Sequence, residues 1–145
     1  MQNSHGKSVF DLDANLVALL CYLGNIVCML GLVLSIITVI SDKKNKLARF
    51  HAWQSILLSI VPFVAVFIWV IVSVIGSILG TVIDAAIGFP IFTLIIFVIS
   101  MIMYLIMAVA SLILLVGLIV GAIKAYNGEL FKLPIIGKMA DKYSG

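Results

Sequence analysis

The side chains best suited to specific chemistry lie between Arg49 and Gln54, where a basic loop runs into an apolar stretch. His51 and Gln54 are three positions apart, so a helix would place them on neighbouring positions of one face. Together with Arg49, Phe50 and Trp53 they form a polar and aromatic collar. Interfacial anchoring or internal hydrogen bonding would explain such a collar, and so would recognition of a partner or substrate. The residues alone leave both explanations open.

Other reactive groups are few. Cys21 and Cys28 lie seven positions apart, about 10 Å on a helix, which is too far for a disulfide, and we expect both to be buried apolar residues. Asp84 is expected to be a solvated carboxylate in a turn, although an acid inside a membrane segment would be a functional candidate. The sequence contains no GxSxG, HExxH or phosphate-binding glycine loop. We therefore expect no enzyme activity, no cofactor or metal, no nucleic-acid partner and no small-molecule substrate.

Composition sets the elements that carry these residues. Of 145 residues, 64% are apolar and 10% are charged, and three long apolar runs have no polar face. This pattern is typical of helices surrounded by lipid. We predict an all-α integral membrane bundle with three transmembrane helices, or four, over about residues 15–41, 52–79 and 91–123. A polar tail, 1–14, precedes this single membrane domain, 15–145, whose segment 124–145 is expected to lie along the membrane interface.

The distribution of charge predicts the orientation. The loop 42–49 carries four basic residues against one acid, and the segment from Lys124 onward carries four lysines against two acids. Because cytoplasmic loops collect Lys and Arg, we predict a multi-pass protein of a prokaryotic cell membrane with loop 42–50 and the carboxyl terminus in the cytoplasm. Three spans then put the amino terminus outside.

Small side chains recur at helical spacing in two of the runs, and they predict close helix contacts. The partner is either the other run or a second copy of the protein. The residues are Gly24, Cys28, Gly31 and Ser35 in the first run, and Gly117 and Gly121 in the third.

Glycine and proline mark the predicted ends of the helices. Their concentration over 76–90 predicts the turn between the second and third spans. Asn127 and Gly128 predict the end of the third helix, and Pro134 is expected to prevent its resumption.

Three blocks of sequence are similar to a known family. Residues 50–55, F-H-A-W-Q-S, resemble the family's F-H-A-x-Q-S/A segment, and residues 124–137 resemble its K-A-x-x-G-E-x-F-K-L-P-I-I-G ending. Residues 18–23 are similar to its A-x-L-x-Y-L opening. The chain thus resembles the small prokaryotic membrane proteins described as Tic-like, which are grouped with the twenty-kilodalton subunit of the chloroplast import translocon and with the magnetosome protein MamF.

This resemblance implies a helical membrane domain of three or four spans, no known catalytic activity and, for the chloroplast relatives, a role in protein passage. We expect a non-enzymatic protein that self-associates or serves as an accessory subunit of a membrane assembly. A translocation component and a lipid-interacting, membrane-organising protein are the alternatives. Expected partners are membrane lipids, further copies or other membrane proteins. The candidate recognition residues are Arg49, Phe50, His51, Trp53, Gln54, Asn127, Gly128, Glu129 and Pro134.

Overall fold

The computed structural model describes residues 6–28, 30–134 and 136–144, without the side chain of Cys28. Within these ranges the protein is all-α and contains no strand. The chain forms two compact units, one of Met1–Val61 with Leu114–Gly145 and one of Pro62–Ile113. Its helices are α1 (Ala14–Cys28), α2 (Leu30–Ser41), α3 (Lys46–Ile87), α4 (Ile91–Tyr126) and α5 (Ile136–Ser144).

The first apolar run forms two helices, so the prediction of one continuous helix over 15–41 is wrong. A Cβ atom added to Gly24 would lie 2.4 Å from the Gly31 amide nitrogen, so the backbones of α1 and α2 touch. Because glycine has no side chain, Gly24 and Gly31 let the run fold back on itself. Their spacing predicted a contact with another span, but the contact they make is between α1 and α2 of the same run. With 15 and 12 residues, α1 and α2 are about 22 and 18 Å long, short of about 30 Å of hydrocarbon.

The segment before α1 is tied to the loop after α2. The Ala14 amide donates to the Gly6 carbonyl at 3.0 Å, Lys7 pairs with Asp13 at 3.3 Å, and Ser8 Oγ donates to Asp42 Oδ2. Residues 6–13 and the loop at Asp42 therefore lie at the same end of the α1–α2 pair. The predicted placement of the amino terminus outside and loop 42–50 in the cytoplasm stays a prediction.

Two helices, α3 and α4, are long and apolar enough to cross a membrane, and the predicted count of three is not confirmed. Helix α3 continues through Pro62. Helix α4 is continuous and ends at Tyr126, where Gly128 has φ +75° and the Glu129 amide bonds the Lys124 carbonyl at 3.0 Å. This geometry satisfies the last carbonyls of a helix and confirms the predicted stop.

In the second unit, α3 extends further than predicted and the turn is shorter. Helix α3 passes through Gly76 and Gly80 to Ile87, so the prediction of a turn beginning at Gly76 is wrong. A Cβ on Gly80 would lie 2.8 Å from Cδ1 of Ile96 in α4. These glycines make room for the neighbouring helix, and only Gly88, with φ +79°, takes a turn conformation.

Asp84 lies in α3 and is 9% exposed, so the expectation of a solvated turn carboxylate is wrong. Its Oδ1 accepts from the Phe92 amide and its Oδ2 from the Thr93 amide, both at 2.8 Å. The first amides of a helix have no partner within the helix and carry partial positive charge. Asp84 therefore caps α4 from the preceding helix.

Pro134 does not end the helical structure, because α5 begins two residues later. The non-helical segment 129–134 connects α4 to α5. Lys132 Nζ donates to Asp141 Oδ2 at 2.7 Å, and this bond holds the pKa of the Asp141 carboxyl below its usual range. The segment expected to lie along the interface thus folds onto its own chain.

Candidate functional site

Small side chains allow α1 to pack closely in the first unit. Val17 and Cys21 pack with Ala48 and Ala52 of α3, and Ala18 and Tyr22 pack with Ala122 and Ala125 of α4. Tyr22, His51 and Gln54 are 0% exposed. Burying a polar group costs free energy unless the group is hydrogen-bonded, so the partners of these side chains indicate their role. We call these three side chains, together with Asn25 and Ser55, the polar cluster.

Both ring nitrogens of His51 have a partner. Nδ1 lies 2.9 Å from the Tyr22 hydroxyl, and Nε2 lies 2.9 Å from the Glu129 carbonyl oxygen. A carbonyl only accepts, so Nε2 carries a proton, and in the neutral ring Nδ1 accepts from the Tyr22 hydroxyl. His51 therefore joins α1, α3 and the segment after α4.

Gln54 binds the same segment two residues further on. Its Nε2 donates to the Phe131 carbonyl at 3.3 Å, and its Oε1 accepts from the Leu133 amide at 3.5 Å. Residues three apart on a helix lie about 5–6 Å apart, and alternate carbonyls of an extended chain lie about 7 Å apart. The spacing of His51 and Gln54 thus fits a non-helical segment docked along α3.

A second set of hydrogen bonds joins α1 to α3. Asn25 Nδ2 donates to Ser55 Oγ at 2.6 Å, and Ser55 Oγ donates to the Cys21 carbonyl at 2.7 Å. The Asn25 Oδ1 atom is buried and makes no hydrogen bond to any described residue. The Asn25 amide therefore fastens α1 to α3.

The predicted collar does not form one surface. Phe50 is buried and meets the His51 ring edge-on at 5.0 Å, whereas Trp53 is half-buried with its ring 5.3 Å from that of Tyr143 in α5. The Nε of Arg49 and the indole N–H of Trp53 make no hydrogen bond within the described ranges. The geometry favours internal hydrogen bonding for His51 and Gln54, and a recognition role stays a prediction.

Two of the four candidates after α4, Gly128 and Glu129, act through the main chain. Asn127 is exposed, Gly128 ends α4, and the Glu129 carbonyl binds His51. The Glu129 carboxylate lies 2.8 Å from Lys124 Nζ at the surface, and Pro134 is exposed. The family-like ending thus contains the main-chain groups of Glu129, Phe131 and Leu133 that bind His51 and Gln54.

The predicted packing residues contact different partners. A Cβ on Gly121 would lie 2.9 Å from Cε1 of Tyr22, so this glycine makes room for the ring that reaches His51. A Cβ on Gly117 would lie 3.8 Å from Cδ1 and Cδ2 of Leu133. Ser35 bonds the Gly31 carbonyl within α2, and the side chain of Cys28 lies outside the described residues.

Sequence reasoning missed Tyr22 and Ser55 as members of the cluster. Tyr22 stands in the family-like block 18–23, and that position was its one available signal. Linking it to His51 requires knowing that α1 packs on α3. No group of three or more metal-ligating side chains converges within the described part of the chain.

The chain matches a known protein-family model. The family model for the magnetosome magnetite crystal formation proteins, MamF and MmsF, matches residues 13–140. The match runs from the start of α1 into α5 and contains every member of the polar cluster. No curated protein and no solved structure matches significantly.

Proposed function

Because the chain belongs to the magnetosome magnetite crystal formation protein family, we propose that it is a non-enzymatic accessory protein of a membrane. It acts by association with its own copies or with other membrane proteins. The family membership confirms the resemblance to MamF, while the Tic-like grouping stays a prediction. From the family membership we carry over a membrane accessory role and no more specific function.

The hydrogen bonds of the buried cluster are the observation that supports this proposal. His51 and Gln54 bind Tyr22 and the main chain after α4, and both side chains are 0% exposed. The cluster therefore fastens chain segments together and presents no nucleophile or base to a substrate. In the second unit, by contrast, apolar side chains such as Val74 and Ile102 are exposed, and surfaces of that kind need lipid or protein to cover them.

The contacts within the first unit also support a revised orientation in a prokaryotic cell membrane. Ser8 binds Asp42, and Asn15 Nδ2 donates to the Tyr126 carbonyl at 3.0 Å. The segment before α1, the basic loop and the end of α4 then share one side, which the positive-inside rule makes cytoplasmic. On this proposal α3 and α4 cross the membrane. Helices α1 and α2 do not cross it, because the chain enters α1 and leaves α2 on the same, cytoplasmic face.

We expect topology reporters to find both termini in the cytoplasm. A reporter fused before Met1 and one fused after Gly145 should be active only there, because the Ser8–Asp42 contact fixes the amino-terminal segment beside the basic loop. The same reporter inserted at Gly88, in the turn between α3 and α4, serves as the control and should be active only outside. Termini on opposite sides would contradict this orientation.

We expect photocrosslinking in the native membrane to yield protein adducts. A crosslinking residue at Val74 or Ile102, which are 53% and 54% exposed, should capture further copies or other membrane proteins. An unrelated membrane protein of equal abundance, carrying the same probe, controls for random collision. Adducts with chains in transit would favour the translocation alternative. Lipid adducts alone would overturn the proposal and favour the lipid-interacting one.

A further inference from the structure

A cavity of about 510 Å³ lies between the segment before α1 and the residues that follow α2. Its lining includes Lys7, Ser8, Phe10, Ile37, Lys43 and Lys44. A second cavity of about 250 Å³ shares Lys7 and Lys44 with the first and adds Lys46. Neither cavity includes a residue of the polar cluster.

The first cavity carries uncompensated positive charge. Lys43 and Lys44 form no salt bridge with any described residue, whereas Lys7 pairs with Asp13. Asp42 is the one acid in the lining, and its carboxylate already accepts from Ser8 Oγ and from the Lys44 amide. These bonds hold the carboxylate but leave its negative charge, and because Lys7 pairs with Asp13, the two ammonium groups of Lys43 and Lys44 stand against one carboxylate. The lining therefore keeps a net positive charge that favours an anion.

The other wall of the cavity is apolar. This wall is formed by Val9, Phe10 and Ile37. Helix α2 exposes further apolar side chains, such as Ile36 and Ile40. Phe10 is 68% exposed and has φ 59°, a left-handed conformation unfavourable for residues other than glycine. This backbone therefore presents an exposed aromatic ring in the lining of a cationic cavity.

We propose that this cavity binds the phosphate group of an anionic phospholipid. The lysines bind the phosphate, and Phe10 with the apolar face of α2 contacts the glycerol and the start of the acyl chains. Lysine-rich segments beside membrane helices attract anionic lipids, and an aromatic ring favours the same depth. This site rests on the membrane location of the protein and is independent of its association with other proteins.

The test compares two double variants with equal loss of charge. In phosphatidylcholine nanodiscs containing phosphatidylglycerol, the variant with Lys43→Gln and Lys44→Gln should bind phosphatidylglycerol about 25-fold more weakly than the natural protein. The control carries Lys138→Gln and Lys142→Gln, at exposed positions in α5, and should bind it nearly unchanged. Equal weakening by both pairs would mean diffuse attraction by net charge and would overturn the site.

A second variant separates a lipid from free phosphate and does not depend on the lysines. Phe10→Gly suits the left-handed backbone, so it should fold normally while weakening phosphatidylglycerol binding severalfold. Inorganic phosphate, measured by calorimetry in plain phosphatidylcholine nanodiscs, should bind the natural protein and this variant equally and weakly. If inorganic phosphate binds as tightly as phosphatidylglycerol and Phe10→Gly changes neither, the ligand is a free anion and the lipid assignment fails.

Discussion

Replacing His51 with leucine will lower the free energy of unfolding by about 2–4 kcal/mol, because the Tyr22 hydroxyl loses its partner and the Glu129 carbonyl keeps only the Phe131 amide as a donor. The Tyr22 hydroxyl is buried, and the Glu129 carbonyl faces the ring from the other side. Leucine has a similar volume to histidine, so the loss reports the hydrogen bonds more than the packing. Reversible unfolding in mixed detergent micelles measures the change. Trypsin cleavage after Lys132 should also accelerate as the segment 129–134 detaches.

Two further variants separate hydrogen bonding from other roles of His51. His51→Gln retains an amide that can donate to the Glu129 carbonyl and should recover part of the stability. Combining His51→Leu with Tyr22→Phe should cost less than the sum of the single changes, because the hydroxyl left unpaired by the first is removed by the second. Unchanged stability and unchanged cleavage in His51→Leu would contradict the structural role and favour partner recognition.

Local patterns in the sequence were sufficient for the features that local chemistry determines. The apolar runs predicted an all-α protein, and Asn127 with Gly128 predicted where α4 ends. A glycine that takes a positive φ at a helix end needs only its own helix for the argument. The family-like blocks also predicted a relationship to MamF, because their order along the chain is specific, and the family match confirms it.

The sequence did not predict the features that depend on which helices pack against each other. The spacing of Gly24 and Gly31 indicated a close contact but not that α1 and α2 make it with each other. Gly80 looked like a turn residue, although it makes room for Ile96. Asp84 looked solvated because its partners, the first amides of α4, come after the turn.

The cluster around His51 shows the same limit at longer range. His51 and Gln54 were expected to share a helix face, and they do, but their partners come from segments far along the chain in either direction. Tyr22 lies 29 residues before His51, and Glu129 lies 78 residues after it. Periodicity describes one helix at a time, so it predicted the positions of these side chains without predicting that they would be buried.

Replacing Gly31 with valine will also strongly destabilise the first unit, with a loss of about 3 kcal/mol or more in the free energy of unfolding. A Cβ at this position would lie 2.2 Å from the Cys21 carbonyl oxygen and 2.5 Å from the Asn25 amide nitrogen. Both are backbone atoms of α1, so no side-chain rotation relieves the clash and the two helices must separate. Cys21, now 0% exposed, should then react with a thiol reagent in a Cys28→Ala background.

Gly117→Ala is the matched control, because a Cβ there meets only the Leu133 methyl groups at 3.8 Å. That change should leave stability equal or raise it by up to about 1 kcal/mol, since alanine favours a helix. If Gly31→Val instead matches the natural protein in stability and Cys21 stays protected, α1 and α2 do not touch. The run 15–41 would then be free to extend as one helix of about 40 Å, long enough to cross a membrane and carry the amino terminus to the other side.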